Sequence, residues 1–329
     1  MELFNKFRNT VFYKDASDLE KQLNELKSIR DRIENKEEID KDIKLLEYGI
    51  AGEKEIAFEL KNANIGMYVL HDVTFEHDGN KAQIDYLILT RGRFYIVECK
   101  NLYGNITVDG NGQFYREYEY DGKRIKEGMY SPYTQAVRHK DLMEKIWMSN
   151  NSLFVNLVPE WLYERLHKKY FFKPIVVLAN SKSILNVKYA PKEVKDSIIR
   201  ADQLISYIRN DIDKMDSAKL CNEKLLKQAA EVWSSRSVQN TSNIATKYSK
   251  TIEDTNLKNK LENKLREFRK LRSSKMNIPA YYVFTDDELD KILKVMPKTV
   301  DELIESKILT DIKIKCHGKE ILRVINTDK

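Results

Sequence analysis

Cysteine and histidine are both scarce in this chain of 329 residues. The three cysteines, Cys99, Cys221 and Cys316, lie far apart, which excludes a disulfide-stapled scaffold and a cysteine-rich zinc site. None of the five histidines pairs with another histidine or a cysteine at metal-ligand spacing, so no zinc site is predicted. The expected setting is therefore a reducing cytoplasm.

Long apolar runs are missing as well. The longest ones, such as Ile175–Ala179, are far shorter than the ~20 residues that a membrane-spanning helix needs. Residues 1–14 lack an apolar h-region, so we expect no secretory signal. The sequence has no glycine-rich phosphate loop, which excludes an ATP-driven motor.

Charge, in contrast, is plentiful. Charged residues make up 33% of the chain, and the net charge is +6. The excess lies in the C-terminal half, where residues 181–250 hold 13 basic and 8 acidic groups. Such an excess permits a polyanionic partner without requiring one.

Apolar spacing and composition divide the chain into four segments. Residues 1–48 have helical spacing and predict an N-terminal helical arm, either a hairpin packed on the next domain or a coiled-coil arm for a homodimer or protein partner. Residues 49–233 predict three strands, a helix and a further strand, which is typical of an α/β domain. Residues 234–256 are rich in serine, threonine and asparagine and predict a polar linker.

The last segment, residues 257–329, predicts an all-α helical bundle. Two capping boxes mark helix starts there, because Thr285 and Thr299 are each followed three residues later by a glutamate, Glu288 and Glu302.

The chemically informative residues lie on a predicted hairpin that turns at Arg91–Gly92. A two-residue turn there places Asp85 opposite Glu98 on the neighbouring strand. Strand alternation then puts Ile84 and Tyr86 together on the opposite face. The face with the acids is predicted to hold Gln83, Asp85, Glu98 and Lys100.

Two opposed carboxylates need positive charge between them. At 4 Å and an effective dielectric near 20, they repel by about 4 kcal/mol. Lys100 supplies part of the compensation, and Mg²⁺ (or Mn²⁺), which takes oxygen ligands and keeps bound water, would supply the rest. A metal there would activate water, with Lys100 orienting that water or neutralising charge on a phosphate. The alternative is a surface ion-pair network, and the spacing alone leaves both open.

Two helical residues are predicted to face the same region. Glu53 lies on the apolar side of its helix and needs a partner, either a nearby metal or Lys100 and backbone amides. Gln135 follows a helix start at Pro132 and points inward with His139. His71, in contrast, is expected to face solvent or a turn.

Four separated motifs within about residues 50–178 resemble the nuclease-related domain (NERD) family of the PD-(D/E)xK restriction-endonuclease-like superfamily. They are Gly52-Glu53, Gln83-Ile84-Asp85, Glu98-Cys99-Lys100-Asn101 and Ser131-Pro132-Tyr133-Thr134-Gln135. The resemblance implies an α-β-β-β-α-β nuclease core and Mg²⁺-dependent phosphodiester hydrolysis. It implies metal binding by Asp85 and Glu98, with Glu53 as the helix acid, Lys100 as the catalytic lysine and Gln135 as the helix glutamine.

The C-terminal segment resembles the HRDC (helicase and RNase D C-terminal) family over about residues 257–325. The most specific part is Pro279-Ala280-Tyr281 followed by a helix start. Two positions depart from that pattern: Ser306-Lys307-Ile308-Leu309 replaces a glycine-rich turn, and His317 replaces a tyrosine. The resemblance implies an auxiliary module that binds nucleic acid or, in some members, protein. Candidate nucleic-acid contacts are Gln83 in the first domain and Lys313, Lys315 and Lys319 here, with a solvated helix face as the alternative for the three lysines.

The sequence therefore predicts a Mg²⁺-dependent nuclease acting on nucleic acid, with DNA as the first candidate and RNA as another. A different class stays open, namely a non-catalytic nucleic-acid-binding or scaffold protein whose site is idle or depends on a partner.

Overall fold

The computed structural model describes residues 7–15, 17–33, 35–149, 171–215, 220–239 and 244–326. The chain divides into two compact units. The first comprises residues 1–27 and 40–243, and the second comprises residues 28–39 and 244–329.

A mixed sheet forms the centre of the first unit. Its strand order is β1-β2-β3-β4-β8-β10, with β2–β3 and β3–β4 antiparallel and the other pairs parallel. The strands are β1 (Thr10–Asp15), β2 (Met67–His77), β3 (Asn80–Thr90), β4 (Phe94–Lys100), β8 (Phe172–Leu178) and β10 (Ile198–Arg200). The central strands are apolar on both faces, as a sheet covered on both sides requires.

Helices cover both faces of this sheet. On one face, α3 (Pro132–Ser149) and α6 (Glu223–Arg236) pack around Trp147 and Trp233. On the other face, α2 (Lys36–Lys61) and α5 (Leu204–Asp213) pack against apolar residues of β2, β3, β4 and β8. The order α2-β2-β3-β4-α3-β8 is the predicted α-β-β-β-α-β core, so the predicted fold class is confirmed.

A second, smaller sheet takes three of its four strands from the segment between β4 and α3 and the fourth from the segment after β8. It has the order β7-β6-β5-β9, with strands β5 (Asn105–Val108), β6 (Phe114–Tyr120), β7 (Lys123–Met129) and β9 (Leu185–Asn186). The β6–β7 hairpin turns at Asp121–Gly122, where both residues have positive φ (51° and 68°), the conformation that suits an Asp-Gly turn. A short helix, α4 (Lys192–Lys195), follows β9.

The N-terminal segment is less helical than the sequence suggested. Residues 10–15 form β1, which extends the main sheet by pairing with β2. Helix α1 (Asp18–Ile29) follows, and α2 runs through the predicted boundary at residue 48 to Lys61. The sequence reasoning missed β1 because its edge burial is only partial, so its residues carry no clear two-residue alternation.

The predicted polar linker at 234–256 is also more ordered where it is described. Helix α6 ends at Arg236, Val238 forms an isolated bridge with Thr74, and residues 244–248 form a 3₁₀ turn. Helix α7 (Ser249–Met276) then begins inside the predicted linker. The polar composition of residues 234–256 therefore does not prevent helix formation there.

The second unit is a helical bundle, as predicted. After α7 come α8 (Asp286–Val295), α9 (Val300–Glu305) and α10 (Asp311–Asn326), packed around Leu265, Phe284 and Ile321. In the described ranges of the chain, no helix is both long and apolar enough to cross a membrane.

The first predicted capping box is present in full. The Thr285 hydroxyl accepts the Glu288 backbone N–H at 3.1 Å, and the Glu288 carboxylate accepts the Thr285 N–H at 2.7 Å. At the second box, Thr299 accepts the Glu302 N–H at 3.1 Å, but the Glu302 carboxylate takes the N–H of Lys298 instead. Both helix starts are thus closed by side chains at the predicted positions.

We expect Thr285→Ala to lower the free energy of unfolding of the helical unit by about 1 kcal/mol, because α8 loses its N-cap acceptor. Thr285→Ser keeps the hydroxyl and should stay close to wild type. Urea unfolding of the full chain, followed by circular dichroism, measures both variants. Equal midpoints for wild type and Thr285→Ala would contradict this account of the helix start.

Candidate active site

The hairpin between β3 and β4 has the predicted turn and register. The Thr90 N–H donates to the Arg93 carbonyl at 3.1 Å, and pairing runs from Leu89–Phe94 to Tyr86–Val97. The β3–β4 ladder stops there, one residue short of Asp85 and Glu98. Strand β4 continues with β8 as its parallel partner as far as Lys100.

The two strands therefore separate where the acids lie. The Asp85 carboxylate fills the gap by accepting the backbone N–H of Cys99 at 2.6 Å. This is a hydrogen bond that a continuous ladder would have used for main-chain pairing. The opening of the ladder creates room for side-chain chemistry between adjacent strands.

The side-chain alternation of β3 breaks at the same point. Ile84 packs in the cluster beneath α3, whereas Tyr86 packs in the cluster beneath α2. The prediction that these two residues share a face is therefore wrong. The neighbouring strand has a matching irregularity, since Asp72 has a φ of 51° and the β2–β3 pairing skips from His71 to Val73. A left-handed residue within a strand re-aims the side chains on either side of it.

Glu98 and Lys100 lie on the α3 side of the sheet. Lys100 Nζ donates to Glu98 Oε1 at 2.6 Å and to Gln135 Oε1 at 3.3 Å. Gln135 is placed by the first turn of α3, where its N–H donates to the Ser131 carbonyl. The catalytic lysine predicted from the sequence is thus held between a strand acid and a helix amide.

Burial makes this group of charges electrostatically costly. Burial, and then repulsion by Glu98, raises the pKa of Asp85 well above its ordinary value of 3.8. Burial also raises the pKa of Glu98, although Lys100 opposes it. For Lys100, burial alone would lower the pKa, but the Glu98 carboxylate outweighs it and the pKa is raised. The surroundings therefore disfavour the ionised form of both acids, whereas the Glu98 carboxylate favours the charged form of Lys100.

Glu53 approaches the acids from α2. Its carboxylate lies 2.9 Å from His71 Nε2, and its carbonyl accepts the Tyr86 hydroxyl at 2.7 Å. The neighbouring Gly52 lets α2 lie close to the sheet, because a Cβ there would lie 2.6 Å from Asn101 Cβ. Glu53 is buried, as its position in the helix predicts.

The predicted residues line one cleft of about 480 Å³. Its lining includes Glu53, Gln83, Asp85, Glu98, Lys100 and Gln135, together with Cys99, Asn101 and His139. The sequence-predicted catalytic and metal-binding side chains are therefore neighbours in space. The candidate contacts Lys313, Lys315 and Lys319 lie in the helical unit, where Lys313 is paired with Glu288 at 2.6 Å.

Two histidines lie next to the site, and the sequence reasoning missed one of them. His71 was expected to face solvent or a turn, which is wrong, since it is buried, stacks on Tyr86 at 4.4 Å and contacts Glu53. His139 lies on the same helix face as Gln135, as their spacing of four residues predicts. Its Nδ1 lies 3.6 Å from Glu98 Oε2.

The donor set suits a hard divalent cation. Glu98 Oε2 is a buried carboxylate oxygen that has no hydrogen-bond partner among the described residues, and the half-buried Asp85 carboxyl lies across the strand gap. Within the described residues, no three His, Cys, Asp or Glu side chains are grouped closely enough to hold a metal by themselves. Two carboxylates completed by water is the kind of set that Mg²⁺ accepts, so the residues fit the ion.

We expect Asp85→Asn to stabilise the metal-free protein by about 0.5–2 kcal/mol at neutral pH, as active-site substitutions often do. The amide removes a buried negative charge and can still accept the Cys99 N–H. Because folding raises the pKa of Asp85, the destabilisation grows as the pH rises from the ordinary pKa of 3.8 to the raised value and is complete above it, so the gain should shrink as the pH falls towards 3.8.

Urea unfolding in the presence of a chelator measures this effect. Asp211→Asn is a matched control, because Asp211 is satisfied by Tyr95 at 2.8 Å and Lys173 at 3.1 Å. That control should destabilise the protein. If Asp85→Asn lowers stability as Asp211→Asn does, the acid pair is not under repulsion.

Comparisons with known proteins agree with the two resemblances. Residues 48–179 match the family model of the nuclease-related domain (NERD), and residues 258–325 match that of the HRDC domain. Among solved structures, D. radiodurans RecQ HRDC domain 3 is 33% identical, covers 21% of this chain and 92% of its own, and has a TM-score of 0.21. No curated protein matches the chain. The chain thus carries a nuclease-related domain followed by an HRDC domain, a module associated with nucleic-acid binding.

Proposed function

We propose that this protein is a Mg²⁺- or Mn²⁺-dependent nuclease that hydrolyses phosphodiester bonds of nucleic acid, DNA first among the candidates. The observation that carries the proposal is the convergence of Glu53, Asp85, Glu98, Lys100 and Gln135 on one cleft. Three separate elements of the core, α2, the β3–β4 hairpin and α3, contribute these side chains.

Asp85 and Glu98 are the residues that would hold the cation, with Glu53 beside them. When bound, the ion would supply an acidified water molecule and positive charge next to a phosphate. The unpartnered Glu98 oxygen supports this role, because a buried polar atom without a partner costs about 1–3 kcal/mol and calls for a ligand.

Lys100 serves the reaction through its ammonium group. It stays protonated, since the Glu98 carboxylate raises its pKa, and so presents N–H donors to the cleft. Such donors orient an attacking water or stabilise negative charge that develops on the phosphate. Gln135 fixes the ammonium by accepting one of its hydrogens at 3.3 Å. On the α2 side, the Glu53 carboxylate is held at 2.9 Å from Nε2 of His71.

A second candidate function is nucleic-acid binding without cleavage. It is favoured by the Glu98–Lys100 ion pair, which at 2.6 Å already neutralises one acid without a metal. Binding in EDTA combined with no cleavage in Mg²⁺ or Mn²⁺ would support this alternative. Parallel DNA and RNA substrates distinguish the preferred polymer.

We expect the wild-type protein to nick or degrade plasmid DNA in Mg²⁺ or Mn²⁺, and Lys100→Ala to lose about 100-fold or more of that rate. Lys173→Ala is the matched control, because Lys173 is also a half-buried strand lysine paired with an acid, Asp211, but lies outside the cleft. That control should keep the wild-type rate. Equal cutting by wild type and Lys100→Ala would remove Lys100 from the mechanism.

Metal binding provides a readout that is independent of cleavage. Calorimetric titration with Mn²⁺ should give a saturable heat for wild type. Asp85→Asn and Glu98→Gln should each weaken that binding at least tenfold, because each replaces a negatively charged carboxylate ligand by a neutral amide. Asp211→Asn should bind as wild type does. Unchanged Mn²⁺ binding in both acid variants would place the cation elsewhere.

A further inference from the structure

A second cavity continues from the candidate active site along α3. It measures about 610 Å³ and shares Lys81, Ala82, Gln135 and His139 with the cleft that holds the acids. Beyond these shared residues it is lined by further side chains of α3 and by Tyr130, just before the helix. The two cavities therefore form one continuous depression that leads away from Lys100.

Cations line this depression. Lys81, Arg138 and Lys145 are all exposed, and among the described residues neither Arg138 nor Lys145 has an acidic partner. Among the residues that line the second cavity, the one carboxylate, Asp141, contacts Lys140 at 3.2 Å. The second cavity is thus net positive. We name it the α3 groove, defined by Lys81, Tyr130, Arg138 and Lys145.

The spacing of these groups follows the helix. At 1.5 Å per residue, Arg138 lies about 4.5 Å and Lys145 about 15 Å beyond Gln135 along the axis. The cations therefore lie in a row that leads away from the site, rather than in one cluster. A linear polyanion that enters the site at Lys100 would meet them in succession.

An aromatic ring completes the groove. The Tyr130 side chain is 57% exposed, and the Arg138 guanidinium lies over its ring at 5.6 Å from the centroid. An exposed ring that is held in place by a cation–π contact offers a stacking surface for an unpaired base, because every base has a π-face. In a duplex, base faces are covered by neighbouring pairs, so the ring would have no use there.

We propose that the α3 groove binds a single-stranded stretch of nucleic acid leading away from the scissile phosphate, with phosphates on Arg138 and Lys145 and a base stacked on Tyr130. The inference rests on the proposed function for the location of the scissile bond. It goes beyond that function by specifying an unpaired strand as the substrate.

Binding of a fluorescein-labelled single-stranded oligonucleotide by the full chain in EDTA tests the groove without cleavage. Arg138→Gln/Lys145→Gln should weaken binding and reduce the slope of log K against log salt by about 1.4, since each phosphate contact contributes about 0.7 for single strands. Tyr130→Ala should weaken binding about tenfold, and Tyr130→Phe should restore it.

Lys188→Ala/Tyr189→Ala is the matched control. Lys188 lies over the exposed Tyr189 ring at 5.2 Å, yet neither residue lines the groove or the site. This control should bind with wild-type affinity and slope. Wild-type binding by the groove variants, an equal loss in the control, or a loss confined to duplex DNA would each overturn the proposal.

Photocrosslinking locates the strand independently of the helical unit. An oligonucleotide that carries 5-bromodeoxyuridine should label the peptide containing Tyr130, and labelling only within residues 258–325 would overturn the proposal. If the groove variants lose binding but the wild type cleaves nothing in any metal, the proposed nuclease function is wrong and the α3 groove proposal is supported. If the wild type cleaves and the groove variants bind normally, the nuclease function is supported and the α3 groove proposal is wrong.

Discussion

The first unit is organised around two carboxylates, Asp85 and Glu98, that the β3–β4 hairpin brings into one gap. Burial raises the pKa of both acids, and repulsion by Glu98 raises that of Asp85 further. The chain offsets the repulsion with a Cys99 N–H on one acid and the Lys100 ammonium on the other. In the part of the chain that the structure describes, one carboxylate oxygen, Glu98 Oε2, is left without a hydrogen-bond partner. This arrangement lowers stability at that point.

The surrounding structure holds this gap open. The β3–β4 ladder ends before the acids, and the irregularity at Asp72 on β2 prevents the sheet from closing over them from the other side. Helix α2 lies close to the sheet because Gly52 has no side chain, and His71 then reaches the Glu53 carboxylate. Since His71 also stacks flat on Tyr86, the orientation of Glu53 is fixed by packing rather than by charge alone.

Sequence patterns predicted the parts of the molecule that depend on near neighbours. The register follows from the turn at Arg91–Gly92, and the α8 cap follows from Thr285 and Glu288, three residues apart. What escaped depends on partners distant in sequence. His71 meets Glu53 across 18 residues, and β1 exists because the edge of β2 lies beside it in space. Strand alternation also failed at Asp85, because a local irregularity shifts the side-chain period without changing composition.

His139 explains how Glu98 keeps an oxygen available. A protonated imidazole at this distance would pair with the carboxylate and compete with any other cation. Burial, and then the positive charge of Lys100, lowers the pKa of His139 to about 4, so the ring is neutral at physiological pH. It lies 3.6 Å from Glu98 Oε2, where the two atoms make no hydrogen bond. Lys100 therefore neutralises one oxygen of Glu98 directly, while burial, with a smaller contribution from Lys100, keeps His139 uncharged beside the other oxygen.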